Sequence, residues 1–364
     1  MKLVVDENIP CAAELLAPLG ELLLLPGRAI DAEAVRDAQV LLVRSVTRVD
    51  AALVTGSALR FVGSATAGID HVDTAELLKR GIAFASAPGS NADSVVDYVF
   101  SALAVAFPGH GELASRRVGV VGCGEVGARL LRRLRALGVA CVVCDPFRDD
   151  LPENGPLQRV LDCDVISIHV PLTFEGPHPT WHLLDAARLQ ALREDALLIN
   201  TSRGPVVDNA ALLESLAARP RMRAVLDVWE PEPEYDPRLL ARCLVGTPHI
   251  AGYAADGKLR GMLQVHEALC TVFGVIGRAG HSSPLAGVLP NTLGSWQEAV
   301  LACYDVRGDD ARLRASLIAD PAQRGRAFDR LRRDYPARRE FSAWRLGDTP
   351  EPLRLDLLAA GFSP

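Results

Sequence analysis

The sequence predicts an α/β protein of two doubly wound parallel-sheet domains followed by a small C-terminal α+β domain. Three observations point there. Through the first two thirds of the chain, short apolar runs alternate with stretches of helical periodicity, which is how βαβ units read in sequence. A glycine fingerprint, Gly122-Cys123-Gly124-Glu125-Val126-Gly127, stands between one such run and a helical stretch. The chain's 364 residues also exceed the roughly 100 to 200 that form a usual domain.

Taken in order, strands are expected over residues 3–5, 22–25, 40–43, 61–63 and 82–84, with helices over 10–19 and 75–80. The small-residue loop Ala85-Ser86-Ala87-Pro88-Gly89-Ser90-Asn91 closes this set and leads into a long apolar helix over 93–106, expected to bridge two lobes. The next set opens with a buried strand over 118–121, the glycine turn and an arginine-rich helix over 126–137. Strands follow over 140–144, 165–168, 197–200, 224–227 and 244–245, giving at least six in parallel. A helix from 256 to about 277 should return the chain to the first lobe, and the Gly- and Pro-containing stretch 278–295 reads as a linker. The expected domains are therefore 1–92 with 257–285, flavodoxin-like; 93–256, Rossmann-like; and 286–364, small enough that dimerisation could complete its core.

Composition is that of a globular chain, with 49% hydrophobic and 23% charged residues. A net charge of -6 gives no global field for nucleic acid or an anionic membrane, so an anionic substrate needs a local basic pocket. Arginine greatly outnumbers lysine and could line it. The opening Met1-Lys2-Leu3-Val4-Val5-Asp6-Glu7 turns acidic where an export signal would stay apolar, and the most apolar later stretch, 95–107, is interrupted by Asp97. It also falls short of the roughly 20 residues that span a bilayer. A cytoplasmic location is expected. The eight cysteines show no framework and are read as reduced. Cys141 and Cys144 form a C-x-x-C, but period-two alternation in a strand sends them to opposite faces, so no metal site is expected.

In the fingerprint, Gly122 permits a tight turn, Gly124 lets backbone approach a pyrophosphate, and Gly127 lets helix pack on strand. Glu125 and Val126 would offer amides at the helix N-terminus, where phosphates sit. Asp145, 18 residues beyond Gly127, stands where an acid grips ribose hydroxyls and repels a 2′-phosphate, which favours NAD over NADP. Arg148 nearby blunts that preference.

Three further residues follow strands at the ligand edge of the second sheet. Arg203, in Asn200-Thr201-Ser202-Arg203-Gly204, carries a planar fork suited to a carboxylate. The acidic run Asp227-Val228-Trp229-Glu230-Pro231-Glu232-Pro233-Glu234 offers three glutamates that spacing alone does not separate. His249, after Thr247-Pro248, can take a proton from an alcohol near neutrality. The other seven histidines have poorer contexts: 71, 110, 178 and 281 in turns or loops, 169 at a strand end, 182 and 266 beside helices.

Together these stretches resemble the D-2-hydroxyacid dehydrogenase family, whose glycine fingerprint, N-x-x-R-G loop, D-V-[FW]-E-x-E-P run and P-H-I-A-G stretch recur here in order. The resemblance runs from the first strand to about residue 277 and implies NAD-dependent oxidation of a 2-hydroxy acid, with Arg203, Glu232 and His249 catalytic. Longer matches lie at Val4-Val5-Asp6-Glu7-Asn8-Ile9-Pro10, Val43-Arg44-Ser45-Val46-Thr47, Ala65-Thr66-Ala67-Gly68-Ile69-Asp70-His71-Val72-Asp73 and His249-Ile250-Ala251-Gly252-Tyr253. They are similar to one branch of the family, acting on a small phosphorylated 2-hydroxy acid and dimerising through its C-terminal domain. That branch implies substrate contacts at Ser45, Thr66 and Tyr253, and NAD contacts at Asp145, Thr201, Ser202, Arg203, Asp227 and Gly252. Position 170 is Val where the branch usually has Thr, so only backbone contact to NAD is expected there. Arg44 is a candidate for the substrate phosphate, with Lys258 or Arg260 beside it, and amides of the 65–68 loop would help clamp the carboxylate. The competing readings are another dehydrogenase of the family, acting on 3-phosphoglycerate or a different D-2-hydroxy acid, and a non-catalytic NAD-sensing corepressor.

Overall fold

Runs of Val and Leu pair as parallel strands in two separate sheets of the computed structural model, which describes residues 1–109, 111–277 and 283–364. Two compact units result: Met1–Asn91 with Ala254–Pro284, and Ala92–Tyr253 with Leu285–Pro364. His110 and His281, expected in loops, and the start of the expected linker lie outside the described residues.

The first unit runs β1 (Lys2–Asp6), α1 (Ala12–Leu16), β2 (Glu21–Leu25), α2 (Ala32–Val35), β3 (Val40–Val43), α3 (Ala51–Val54), β4 (Phe61–Ser64), α4 (Thr74–Lys79) and β5 (Ala83–Ala85). Its sheet has the order β2-β1-β3-β4-β5, all parallel. A parallel sheet must be covered on both faces, and alternation along the strands does this. Val4, Leu41 and Val62 enter one core, while Leu3, Val5, Val40, Leu42 and Phe61 enter the other. Helix Ala255–Phe273 closes the second core with Met262, Val265 and Leu269. Gly63 makes room for it, since a Cβ there would lie 2.4 Å from a Val265 methyl. The single helix expected over 10–19 is α1 followed by a 3₁₀ turn at Ala17–Leu19, because Pro18 has no N–H to continue the α ladder. Asp31, Asp50 and Asp73 cap α2, α3 and α4.

The second unit runs α5 (Ala92–Ala106), β6 (Arg117–Val121), α6 (Glu125–Ala136), β7 (Ala140–Cys144), α7 (Leu157–Leu161), β8 (Val165–Ile168), α8 (Ala186–Ala191), β9 (Leu197–Asn200), α9 (Asn209–Ala218), β10 (Arg223–Leu226), α10 (Pro237–Arg242) and β11 (Val245–Gly246). The Ala255–Phe273 helix is α11. All six strands are parallel in the order β7-β6-β8-β9-β10-β11, so the order reverses between β6 and β8. Ligands of open α/β sheets bind outside the carboxyl ends at such a reversal. The glycine turn leaves β6 at this point.

Residues of the C-terminal stretch form β12 (Gly287–Val288), α12 (Trp296–Cys303), α13 (Val306–Ala315), α14 (Pro321–Arg333), β13 (Trp344–Arg345) and α15 (Glu351–Ala360). Trp296 and Val300 of α12 and Leu357 of α15 share one core with Phe100 and Leu103 of α5 and Leu130 and Leu134 of α6. Arg133 of the arginine-rich helix sits inside this contact. Its Nη1 donates to Asp97 Oδ1 (2.6 Å) and the Ala360 carbonyl (3.1 Å), and Nη2 donates to Asp93 Oδ1 (2.7 Å). The other Asp97 oxygen accepts the Phe341 amide (2.8 Å). Burial outweighs Arg133 and pushes Asp97 up to about 6.

Cys141 and Cys144 are free and face different cores of the sheet, as alternation requires. Burial pushes the Cys141 thiol up to about 11. Among the described residues no helix is long and apolar enough to cross a membrane, and no group of three or more His, Cys, Asp or Glu is placed to hold a metal.

Candidate active site

Two glycines of the fingerprint are required by close contacts, and the third stands in open space. Gly122 has φ +85°, and a Cβ there would lie 2.6 Å from the His169 carbonyl oxygen and 2.7 Å from a Val170 methyl. A Cβ on Gly127 would stand 2.0 Å from the Gly122 carbonyl oxygen, so helix and strand meet only without one. Gly124 has open space around it and precedes α6 with no side-chain cap, which leaves the first amides of α6 for an outside acceptor. Glu125 is exposed and its carboxylate pairs with Arg129 at 2.5 Å, so what this position can offer an anion is its backbone amide.

Asp145 follows β7 and is stitched to the turn: Oδ2 accepts the Cys123 amide (2.7 Å) and Oδ1 the Phe147 amide (3.0 Å). Each oxygen keeps a lone pair for a ribose hydroxyl. Arg148 donates to the Cys123 carbonyl (2.8 Å), and its charge is met by Asp150 at 2.7 Å rather than left for a 2′-phosphate. An open Gly124, uncapped amides and an anchored carboxylate fit a dinucleotide. A Val170 methyl packs against Gly122, and the residue offers no side-chain hydroxyl to a ligand. His169 beside it is pushed down to about 3 by burial and is neutral, bonded to Ser167 Oγ at 2.8 Å.

Arg203, the acidic run and His249 follow β9, β10 and β11, whose ends are level through the Leu226–Asn200 and Leu226–Gly246 partners. Asn200 shapes the first loop. Its Oδ1 accepts the Ser202 amide (3.0 Å) and hydroxyl (2.8 Å), and its Nδ2 donates to the Arg203 carbonyl (3.0 Å). Thr201 stands at 3.4 Å from His169 Nδ1. Arg203 is half-buried, with Nη1 donating to the Ser202 carbonyl (2.8 Å). Gly204 lets this loop lie on the next one: a Cβ there would be 1.7 Å from the Trp229 carbonyl oxygen.

The three glutamates go to different places. Glu230 meets His182 Nε2 at 2.9 Å, and Glu234 packs toward Gly325. Glu232 Oε2 lies 2.8 Å from His249 Nδ1, while Oε1 accepts the Trp229 amide at 2.9 Å. Burial raises the proton affinity of Glu232, but the His249 ring, their hydrogen bond and Arg332 outweigh it and hold the carboxyl below its ordinary value. His249 occupies left-handed backbone, φ +56°, held by its amide donating to the Asp227 carbonyl (2.7 Å). Its ring remains about one-third exposed, at 32%.

Asp227, expected to contact NAD, is fully buried and organises the His249 loop. One oxygen accepts the Thr247 hydroxyl (2.6 Å) and the Ile250 amide (2.8 Å), the other the Ala251 amide (2.8 Å). Thr247 is joined in turn to the Tyr98 hydroxyl at 2.7 Å. Gly252 follows, half-buried, and the Tyr253 ring meets Tyr335 edge-on at 5.8 Å. Thr247, Tyr98 and Tyr335 carry no motif, and no sequence signal singles them out.

In the first unit, Ser45 and Thr66 follow β3 and β4, which are paired through Val43 and Ser64. Ser45 is exposed; Thr66 Oγ1 donates to the Gly68 carbonyl (3.0 Å) and meets Ser64 Oγ at 2.7 Å. Arg44 Nε donates to buried Asp6 at 3.0 Å, which fixes its stem. Arg260 Nε donates to the Ser90 carbonyl (3.0 Å). The expected amide clamp is shortened at one end, because the Ala65 amide already donates to the Val43 carbonyl (2.9 Å).

A glycine turn at the reversal of a parallel sheet, with a carboxylate-bound imidazole and an arginine on loops at the same carboxyl edge, is the equipment of a nucleotide-dependent dehydrogenase of 2-hydroxy acids. Comparison with known proteins agrees. Residues 102–251 match the D-isomer specific 2-hydroxyacid dehydrogenase NAD-binding domain, and residues 291–361 match a domain of unknown function, DUF3410. An erythronate-4-phosphate dehydrogenase of Azotobacter vinelandii is 48% identical, with 100% of both chains covered. One of Stutzerimonas stutzeri is 49% identical over 96% of each. The crystal structure of the TT0316 protein of Thermus thermophilus is 29% identical, with a TM-score of 0.67 over 75% of this chain and 97% of that one. The chain belongs to the erythronate-4-phosphate dehydrogenase family of the D-isomer-specific 2-hydroxyacid dehydrogenases.

Proposed function

We propose that the chain oxidises the C2 hydroxyl of 4-phospho-D-erythronate, giving (R)-3-hydroxy-2-oxo-4-phosphooxybutanoate, as a cytoplasmic step of pyridoxal 5′-phosphate biosynthesis. The observation that carries the reading is the 2.8 Å contact between Glu232 Oε2 and His249 Nδ1. A carboxylate on Nδ1 fixes that nitrogen as the donor and leaves Nε2 as the acceptor. His249 then takes the C2 hydroxyl proton on Nε2, and Glu232 stabilises the imidazolium that forms. Arg203 holds the C1 carboxylate through its fork, which places the C2 oxygen beside the imidazole. Bound NAD would supply the hydride acceptor for C2. Gly122, Gly124, Glu125, Val126 and Gly127 would hold its pyrophosphate by backbone, Asp145 its ribose diol, and Val170, Thr201, Ser202, Arg203, Asp227 and Gly252 the nicotinamide end.

Ser45, Thr66 and Tyr253 are the substrate contacts in this reading. Arg44 seats the phosphate, its stem fixed by Asp6. Residues 1–92 with 257–285 are the substrate domain, 93–256 the NAD domain and 286–364 the dimerisation domain, through which two chains pair. The test is NADH formation with 4-phospho-D-erythronate, 3-phosphoglycerate and unphosphorylated D-2-hydroxy acids. A preference for the first supports the reading, and a preference for 3-phosphoglycerate replaces it. A chain that binds NAD and oxidises none of them would be a binding protein.

A further inference from the structure

The segment described only as a domain of unknown function lies directly on the loop that carries Glu232. A Cβ on Gly325 of α14 would be 3.2 Å from Pro233 Cγ and 3.4 Å from Glu234 Cγ. Positions four apart on a helix share a face, so Arg324, Phe328 and Arg332 all point the same way. Arg324 Nε donates to the Tyr235 carbonyl (3.1 Å), and Phe328 is fully buried against the Tyr235 ring at 5.7 Å. Arg332 ends this row. Its guanidinium stands 5.7 Å from the centre of the Tyr253 ring and 6.0 Å from that of Phe328.

We propose that Arg332 is a positioning residue for the reaction: from α14 it holds Glu232 ionised against His249 and fixes Tyr253, so that the C-terminal segment completes the proton-transfer pair. The inference rests on the reading of Glu232 and His249 as that pair. Three observations support it beyond placement. Arg332 stands over the Tyr253 ring from a helix that packs on the Glu232 loop, and its positive charge helps to hold the Glu232 carboxyl below its ordinary value. The Arg332 counter-ion on its own helix, Asp329, is distant at 4.0 Å, and Arg332 Nε is buried with no partner among the described residues. A guanidinium placed for stability alone would be better paired. The same segment fixes the other side of the His249 loop, where buried Arg338 donates to the Ala251 carbonyl and lies 4.2 Å over the Tyr304 ring.

The groups facing Glu232 are His249 and Arg332, and those facing Arg332 are Tyr253 and Asp329. Neutralising Arg332 therefore removes a charge that opposes protonation of Glu232. In the full-length chain with NAD and the best 2-hydroxy acid of the panel, Arg332→Gln is expected to lower kcat about tenfold. It should also move the acidic limb of the kcat/KM profile up by about one pH unit, with the KM for NAD unchanged. Arg332→Lys keeps the charge and should return the limb to its wild-type position; where Gln unfolds the chain, the Lys variant and Tyr253→Phe carry the test. A limb unmoved in Arg332→Gln, or moved equally in Arg332→Lys, overturns the proposal and leaves the reading of the pair intact. Wild-type turnover in Glu232→Gln overturns the reading itself, and the proposal with it.

Discussion

Glu232 and His249 are joined across two loops by a single 2.8 Å contact, with Glu232's second oxygen spent on the Trp229 amide of its own loop. The carboxylate is thus immobilised before it meets the ring. Glu232→Gln keeps the shape and loses the charge, so kcat should fall about 10²-fold or more while the KM for NAD holds. His249→Ala should cost about 10² to 10⁴ in kcat. Rapid-mixing measurement of NADH formation, with NAD affinity read by fluorescence titration, checks both. Parallel losses of NAD affinity would point to a collapsed loop instead of lost chemistry.

The strands of the two large sheets were legible because parallel strands buried on two faces read as apolar runs, and edges moved by only a residue, as at β5 and β11, whereas β12 and β13 were not read at all. Gly122 and Gly127 of the fingerprint were legible because each answers to a local geometric demand. What the sequence did not disclose is what distant segments do for one another. Asp227 reads as a strand-end acid with an NAD role, and nothing in the sequence showed that its carboxylate also accepts from Thr247, Ile250 and Ala251. Arg133 reads as one charge among several on an arginine-rich helix and Arg332 carried no signal, yet the first is buried and the second half-buried. No periodicity separates them from the solvated arginines beside them, because their partners come from elsewhere in the chain.

Arg203 tests bidentate recognition. Lysine retains the charge but not the fork. Arg203→Lys should raise the KM for the hydroxy acid about tenfold and lower kcat/KM about 10²- to 10³-fold, with little change in NAD affinity. Steady-state kinetics over both substrates would separate these, and a loss confined to NAD would remove Arg203 from the carboxylate.

Two glycines should respond oppositely to alanine. At Gly204 a Cβ would stand 1.7 Å from the Trp229 carbonyl oxygen, so the Arg203 and Glu232 loops must part. Gly204→Ala should cost about 2 to 4 kcal/mol and most of the activity. At Gly308, in α13, a Cβ meets nothing within 4 Å. Gly308→Ala should stabilise by about 0.5 to 1 kcal/mol through helix propensity and a less flexible unfolded chain. Denaturant midpoints of both variants check the contrast.

Asp97 makes the contact between α5, α6 and the C-terminal stretch sensitive to pH. Its folded value, about 6, stands above the ordinary 3.8, because burial outweighs Arg133. The folded state therefore binds this proton more tightly than the unfolded chain does. Its contribution to stability is fully present below the unfolded value and is lost as pH rises through about 6. The rise from 3.8 to about 6 corresponds to a loss on the order of 3 kcal/mol across that window. Asp97→Asn cannot titrate, although it also weakens the hold on Arg133 and the Phe341 amide. Unfolding free energies of wild type and Asp97→Asn, measured at several pH values from about 4 to 7, should therefore differ by an amount that changes with pH. Wild type should lose ground to the variant as pH rises, and parallel curves would mean that Asp97 is ionised throughout, with Arg133 the stronger influence.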